Sequence, residues 1–191
     1  MIKHIKVIGL QRSGTTYLEY LLDKNFNVKV YKEGDITICF KHAFPGEKVL
    51  KLNNGKTIIW EKTTIGRINE HKDLLVIIIQ KHFEHWFESI SRKPVDLPVK
   101  HPEIFNNDKT VDKTKAFKLY SSFYKAWKNR LLNNSNIQLI NYEDIIHDFT
   151  LILRLLQILY KLPLKLPSWQ NMDKVPQSAK FTEERRKYYL S

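Results

Sequence analysis

Gly9 and Gly14 enclose Leu10-Gln11-Arg12-Ser13, and the six residues follow directly on the apolar run that starts at Ile5. Two glycines at this spacing let backbone N–H groups wrap a phosphate at a helix N-terminus, where the helix dipole adds about half a positive charge. Arg12 places a cation inside the same loop. In a nucleoside triphosphatase the second glycine is followed by Lys and Ser/Thr, the Lys reaching the phosphates and the hydroxyl holding Mg²⁺. Here Thr15-Thr16 follows instead, and the run Leu74 to Ile79 ends in Gln80-Lys81 rather than in an acidic metal ligand. Both departures argue against Mg·ATP chemistry. The rival reading is a plain glycine turn with no ligand, although Arg, Ser, Gly, Thr and Thr together are a costly way to build one.

The elements that must position this loop are legible in outline. Tyr17-Leu18 and Tyr20-Leu21-Leu22 take helical spacing, so the order is strand, loop, helix. Val28 to Tyr31 is a second strand, and Lys48 to Leu52 with Thr57 to Trp60 flank the turn Asn53-Asn54-Gly55 as a hairpin. Leu74 to Ile79 is apolar without alternation, the mark of a strand covered on both faces at the centre of a parallel sheet. Helices are expected over Phe83 to Ser91, Lys115 to Leu132 and Ile145 to Tyr160, with a strand at Ile137 to Tyr142. The stretch 93–114, with Pro94, Pro98, Pro102 and Asn106-Asn107, cannot be regular for long and is a candidate mobile substrate loop. Strands alternating with helices at this pitch predict one α/β domain over 1–191 with a doubly wound, mainly parallel sheet.

Gln11-Arg12-Ser13-Gly14-Thr15-Thr16-Tyr17-Leu18 resembles the 5′-phosphosulfate loop of the sulfotransferases, a family using 3′-phosphoadenosine-5′-phosphosulfate (PAPS) and releasing adenosine 3′,5′-bisphosphate (PAP). The family carries a basic residue after a central strand and a Ser eight positions later, both holding the donor's 3′-phosphate; Lys81 and Ser89 match, with Lys in place of the usual Arg and its bidentate fork. Tyr142-Glu143-Asp144-Ile145 is similar to the family's Tyr-Glu-Asp-Leu segment and reads as structural, capping the helix from Ile145. The resemblance implies that Arg12 and the N–H groups of Ser13, Gly14, Thr15 and Thr16 neutralise the 5′-phosphate and the charge growing on its leaving oxygen. Tyr17 either stacks on the adenine or is a core aromatic. No metal is implied, and no Cys/His cluster has zinc spacing.

Sulfuryl transfer is an in-line displacement that benefits from a general base on the acceptor and from cations around the moving group. Phe40-Lys41-His42-Ala43-Phe44 is similar to a segment of heparan-type members that carries a catalytic base, and His42 is the candidate, with an ordinary pKa of about 6.5. Trp60-Glu61-Lys62-Thr63-Thr64 is similar to the family's Glu-Lys-Ser/Thr element, making Lys62 a stabiliser of the transferring group and Glu61 the alternative base. His82 and His85 flank the 3′-phosphate segment. The basic, Gly-containing closing segment of the family has no counterpart with Gly here; only Lys180, Arg185 or Arg186 could do that job.

Thirty-two Lys+Arg against 20 Asp+Glu give the 191-residue chain a formal charge of +12, which points to an anionic partner. With 42% hydrophobic residues, disorder and fibrous repeats are excluded. Cys39 in Ile36-Thr37-Ile38-Cys39-Phe40 reads as a buried hydrophobe, and no disulfide framework exists. Phe149 to Leu166 is apolar but interrupted by Arg154, Lys161 and Lys165, and reads as a buried amphipathic helix rather than a membrane span. A cytoplasmic, soluble enzyme acting on a small-molecule or carbohydrate acceptor is the expectation. The rivals are a P-loop nucleotide or small-molecule kinase and a nucleic-acid-binding module; the missing Gly-Lys-Ser/Thr and the lack of a base-reading helix weigh against them.

Overall fold

Six consecutive apolar residues leave β5 (Leu74–Gln80) no polar face, and every one of Leu74 to Ile79 is buried. In the computed structural model, which describes residues 1–32, 41–45, 49–51, 57–59, 65, 67–94 and 97–171, β5 lies between β1 (His4–Ile8) and β6 (Ile137–Asn141). With β2 (Lys29–Tyr31) outside β1, the sheet order is β2-β1-β5-β6 and every pairing is parallel. The fold is α/β, a four-stranded parallel sheet flanked by helices. The expected hairpin is present as β3 (Val49–Lys51) and β4 (Thr57–Ile59), antiparallel with Leu50 opposite Ile58.

Side chains alternate across a strand, so each strand feeds two cores. Ile8, Leu74, Val76 and Ile78 pack with α2 (Phe83–Arg92) and α4 (Lys113–Leu131) through Trp86, Ile90, Tyr120, Phe123, Tyr124 and Trp127. On the other face Ile5, Val7, Leu75, Ile77 and Ile79 meet Leu18, Leu21 and Leu22 of α1 (Thr15–Asn25) and the helices that follow β6. The sheet is therefore wound on both sides, as its sequence predicts. Among the described residues of the stretch 93–114, α3 (Leu97–Lys100), a 3₁₀ turn over Pro102–Ile104 and a bridge from Phe105 to Val111 precede the start of α4 at Lys113. Leu97 and Ile104 are nonetheless fully buried and fasten this stretch to the core.

One expected helix is two. The segment from Ile145 to Tyr160 divides into α5 (Tyr142–His147) and α6 (Phe149–Tyr160), and α5 starts where the last residue of the expected strand should be. Asp148 causes the break: its extended backbone stops α5, and its carboxylate accepts the Thr150 and Leu151 N–H groups, each at 3.0 Å, capping α6. Those hydrogen bonds, with the Thr150 hydroxyl first among them, hold the Asp148 carboxyl below its ordinary pKa. Asp112 caps α4 in the same way through the Lys115 N–H and moves its start upstream of the expected Lys115.

Gly9 is where β1 leaves the sheet, and it passes close to β5. A Cβ there would lie 2.6 Å from the Ile79 carbonyl oxygen and 2.5 Å from the Ser13 hydroxyl. Ile79 is held within β5 and cannot retreat. Gly9→Ala is expected to lower the unfolding free energy by about 1–3 kcal/mol, as overpacking does, read from urea denaturation; an unchanged midpoint would refute the contact.

Candidate functional site

In open α/β sheets ligands bind beyond the C-terminal ends of the strands, and here the loops after β1, β5 and β6 meet at that edge. After β1 the chain turns through Leu10 to Ser13, with the Ser13 N–H and hydroxyl both donating to the Leu10 carbonyl, at 3.1 and 2.6 Å. Arg12 takes a left-handed φ of +68° and Gly14 one of +95°. A left-handed residue that is not glycine costs about 1–2 kcal/mol, so the surroundings must hold Arg12 in place. Gly14 is the N-cap of α1, offers no side chain to the helix, and no acidic residue follows in the first turn. The first intrahelical bond runs from the Leu18 N–H to the Gly14 carbonyl at 3.1 Å, which leaves the N–H groups of Gly14, Thr15, Thr16 and Tyr17 without intrahelical acceptors. The expected set of loop donors is thus corrected at Ser13, whose N–H is spent on the turn.

Two buried lysines approach this helix end from different segments of the chain. Lys41 donates from Nζ to the Thr16 hydroxyl at 3.2 Å, while its carbonyl accepts the Gly9 N–H at 2.9 Å. Lys81, after β5, sets Nζ 4.4 Å from the centre of the Tyr142 ring. The same ring lies against Gly14: a Cβ on that glycine would collide with Tyr142 Cδ2 and Cε2. Lys81 and Gly14 therefore share contact with the Tyr142 ring. Lys41 and Lys81 are only 5% and 4% exposed, so both cations are held here with little access to water.

His42 adjoins the loop. Its Nδ1–H donates to the Gly9 carbonyl at 2.5 Å, which fixes the tautomer and leaves Nε2 as the basic nitrogen. Burial above all, and then the charges of Lys41, Lys100 and Lys6, push its pKa down from 6.5 to about 3, against the opposing pull of the Gly9 hydrogen bond. The ring is neutral at neutral pH.

The remaining predicted residues divide. Tyr17 is buried on α1 with its ring edge-on to Tyr142, 6.4 Å between centres, so the structure sides with the core-aromatic reading. Ser89 is half-buried on α2, and its carbonyl receives the closing Lys93 N–H at 3.3 Å. Glu61, Lys62, Cys39 and the tail from Gln177 to Arg186 lie outside the described residues. Tyr142, Glu143 and Asp144 do not cap a helix from Ile145, because they are already helical. Glu143 instead reaches α2, accepting the His82 N–H and pairing with His85 Nδ1, both at 3.0 Å. This pairing accounts for His85 as a structural residue.

Sequence reasoning passed over Lys41, quoted only as a neighbour of His42, and Gln11. The Gln11 side chain is buried, and neither its amide oxygen nor its nitrogen has a hydrogen-bond partner, although its backbone carbonyl takes the Trp86 indole N–H at 2.7 Å. A buried orphan amide beside the loop is a polar group that a ligand can satisfy. Its position, next to the arginine in a phosphate loop, was the available signal. Among the described residues no cluster of three or more His, Cys, Asp or Glu gathers to hold a metal ion.

No family model matches the chain, and no curated protein matches it. Among solved structures it is similar to mouse sulfotransferase SULT7A1, determined as a complex with PAP, at 13% sequence identity and a TM-score of 0.42. The similarity covers 98% of this chain and 62% of that one, so this chain spans less than two thirds of that protein's length.

The depressed pKa of His42 has a thermodynamic consequence. As pH falls below 6.5 the unfolded chain protonates this ring, whereas the folded chain resists until about 3. In that window the unfolded state binds more protons, so lowering the pH destabilises the fold; above it His42 contributes no pH dependence. Urea unfolding of wild type and His42→Asn at about pH 7 and about pH 5 should show a steeper acid loss in wild type, by up to about one proton in the slope. Parallel slopes would refute it.

Proposed function

We propose that this chain is a PAPS-dependent sulfotransferase, moving a sulfuryl group to a hydroxyl or amine of a small-molecule or carbohydrate acceptor. The observation that carries the reading is the α1 N-terminus without a side-chain cap, with buried Lys41 on its Thr16 and buried Lys81 across Tyr142. A donor with two separated anionic ends matches two separated cations. The sequence supports the same reading, since the loop and Lys81 stand where the sulfotransferase pattern has them. The N–H groups of Gly14, Thr15 and Thr16 at the helix end that no side chain caps suit a polyanion.

When bound, the donor supplies an activated sulfuryl group whose S–O bond to the 5′-phosphate breaks as the acceptor oxygen or nitrogen attacks, leaving PAP. Arg12, Lys41 and the N–H groups of Gly14, Thr15 and Thr16 would hold the 5′ end and stabilise the charge developing there. Lys81 and Ser89 would bind the 3′-phosphate, Lys81 as a point charge. His42 Nε2 would take the acceptor's proton, with Nδ1–H on Gly9 keeping the ring in that tautomer. Its low basicity in the free protein is partly the work of Lys41, and an anion on Lys41 opposes that effect, raising the base toward the useful range. Lys62 and Glu61 complete the proposal as stabiliser and alternative base.

PAP is expected to raise the melting temperature while ATP·Mg²⁺ does not; the opposite pattern would overturn the reading in favour of a kinase. Arg12→Ala should lose both PAP binding and sulfuryl transfer. His42→Ala should keep PAP binding and lose about 10²–10⁴-fold in transfer, followed by mass spectrometry of candidate acceptors incubated with PAPS. Undiminished transfer would move the base to Glu61.

A further inference from the structure

The helix α6 is apolar nearly all the way round, yet only one side of it is covered. Leu153 and Leu156 point into the core, whereas Leu151, Leu155, Ile158 and Leu159 are 51%, 45%, 65% and 63% exposed. At 3.6 residues per turn these four fall within an arc of about 100° on the side away from the core. A helix of this composition is ordinarily buried, so the outer arc is an unpartnered surface. The chain leaving α6 extends it with exposed Leu164 and Leu166, held beside the end of α1 by a bridge from Phe26 to Leu164 and by the Lys165 N–H on the Asn25 carbonyl at 2.8 Å.

The charged residues of this segment all have one sign. From Phe149 to Asn171 the sequence contains Arg154, Lys161 and Lys165 and no Asp or Glu. Arg154 borders the apolar arc, and all three cations are exposed. The acid just ahead, Asp148, spends its carboxylate on the α6 N-terminus. A second copy of the chain would bring these cations against their own kind, with no carboxylate in the segment to answer them. An apolar stripe edged only by cations complements a surface that is apolar inside and anionic at its rim. No helix among the described residues is long and apolar enough to cross a membrane, and α6, with 12 residues, is far short of a span. We propose that α6 and the segment through Leu166 form a docking face that lies on an anionic lipid surface, with the leucines and Ile158 in the acyl boundary and the cations among the headgroups.

The test is vesicle co-sedimentation of the full chain with phosphatidylcholine vesicles containing about one third phosphatidylglycerol, against phosphatidylcholine alone. Wild type should bind the anionic vesicles and release them as salt is raised. Leu155→Glu with Ile158→Glu should weaken binding by about tenfold or more, and Arg154→Glu with Lys161→Glu should do the same. These positions are exposed, and circular dichroism with thermal melting checks that the variants keep the fold. Absence of binding by wild type, or equal binding by the Leu155/Ile158 variant, would overturn the proposal. So would sedimentation of wild type as a dimer that the same variant dissociates, because a second copy would then occupy the face. Because none of these residues belongs to the proposed sulfuryl-transfer site, PAP binding should be the same in all variants.

Discussion

Four aromatic side chains with polar tips hold the site together from beneath. Tyr120 donates its hydroxyl to the Lys81 carbonyl at 2.6 Å, Tyr124 to the Ile79 carbonyl at 3.0 Å, Trp127 its indole N–H to the Ala43 carbonyl at 3.1 Å, and Trp86 to the Gln11 carbonyl at 2.7 Å. Three come from α4 and one from α2. Each acceptor belongs to a different piece of chain: the loop after β5, the end of β5, the segment of Lys41 and His42, and the phosphate loop. Irregular segments that carry function expose backbone carbonyls which become costly once buried. The packed faces of α4 and α2 supply the missing donors and, because the rings also fill the core, fix the distances among the segments. Burial pushes the Tyr120 and Tyr124 hydroxyls above their ordinary pKa, so they are protonated donors at neutral pH.

Electrostatics at the strand ends depend on that scaffold. Lys6, Lys41 and Lys81 are all nearly inaccessible, and buried cations persist only where polar groups or anions answer them. Lys6 sits on β1 and donates to the Tyr31 carbonyl at 3.2 Å, joining the end of β2 to the sheet below the site. Lys41 reaches the Thr16 hydroxyl and Lys81 the Tyr142 ring. Burial above all, and then the charges of Lys41, Lys100 and Lys6, keep His42 neutral beside the α1 N-terminus. The same arrangement gives an anion three kinds of contact at once: helix dipole, cation and oriented N–H.

The formal charge of +12 divides into parts with different physical meaning. A few cations are buried at the strand ends and bear on the proposed chemistry. Three more line α6 and its exit beside a bare apolar arc. Net charge alone does not separate a nucleotide site from a membrane-facing surface, because both answer to anions; the difference lies in whether the neighbours are backbone donors or leucines.

Local pattern determined the strands, the loop and the helices that pack on them. Periodicity identified β5 as the centre, since six apolar residues in a row have no solvent side to face, and the spacing of Gly9 and Gly14 marked the loop before α1. Sequence could also nominate Arg12, Lys81 and His42, because charge and spacing are local properties. Tertiary structure alone decided three things. Asp148 split a helix that the hydrophobic period runs straight through, because its carboxylate competes for the backbone donors on its C-terminal side. Tyr142 came to touch both Lys81 and Gly14, contacts between residues far apart in sequence that the β5–β6 pairing brings together. The outer side of α6 proved bare, because an apolar sequence records that a side chain can be buried but carries no information on whether another element is there to bury it.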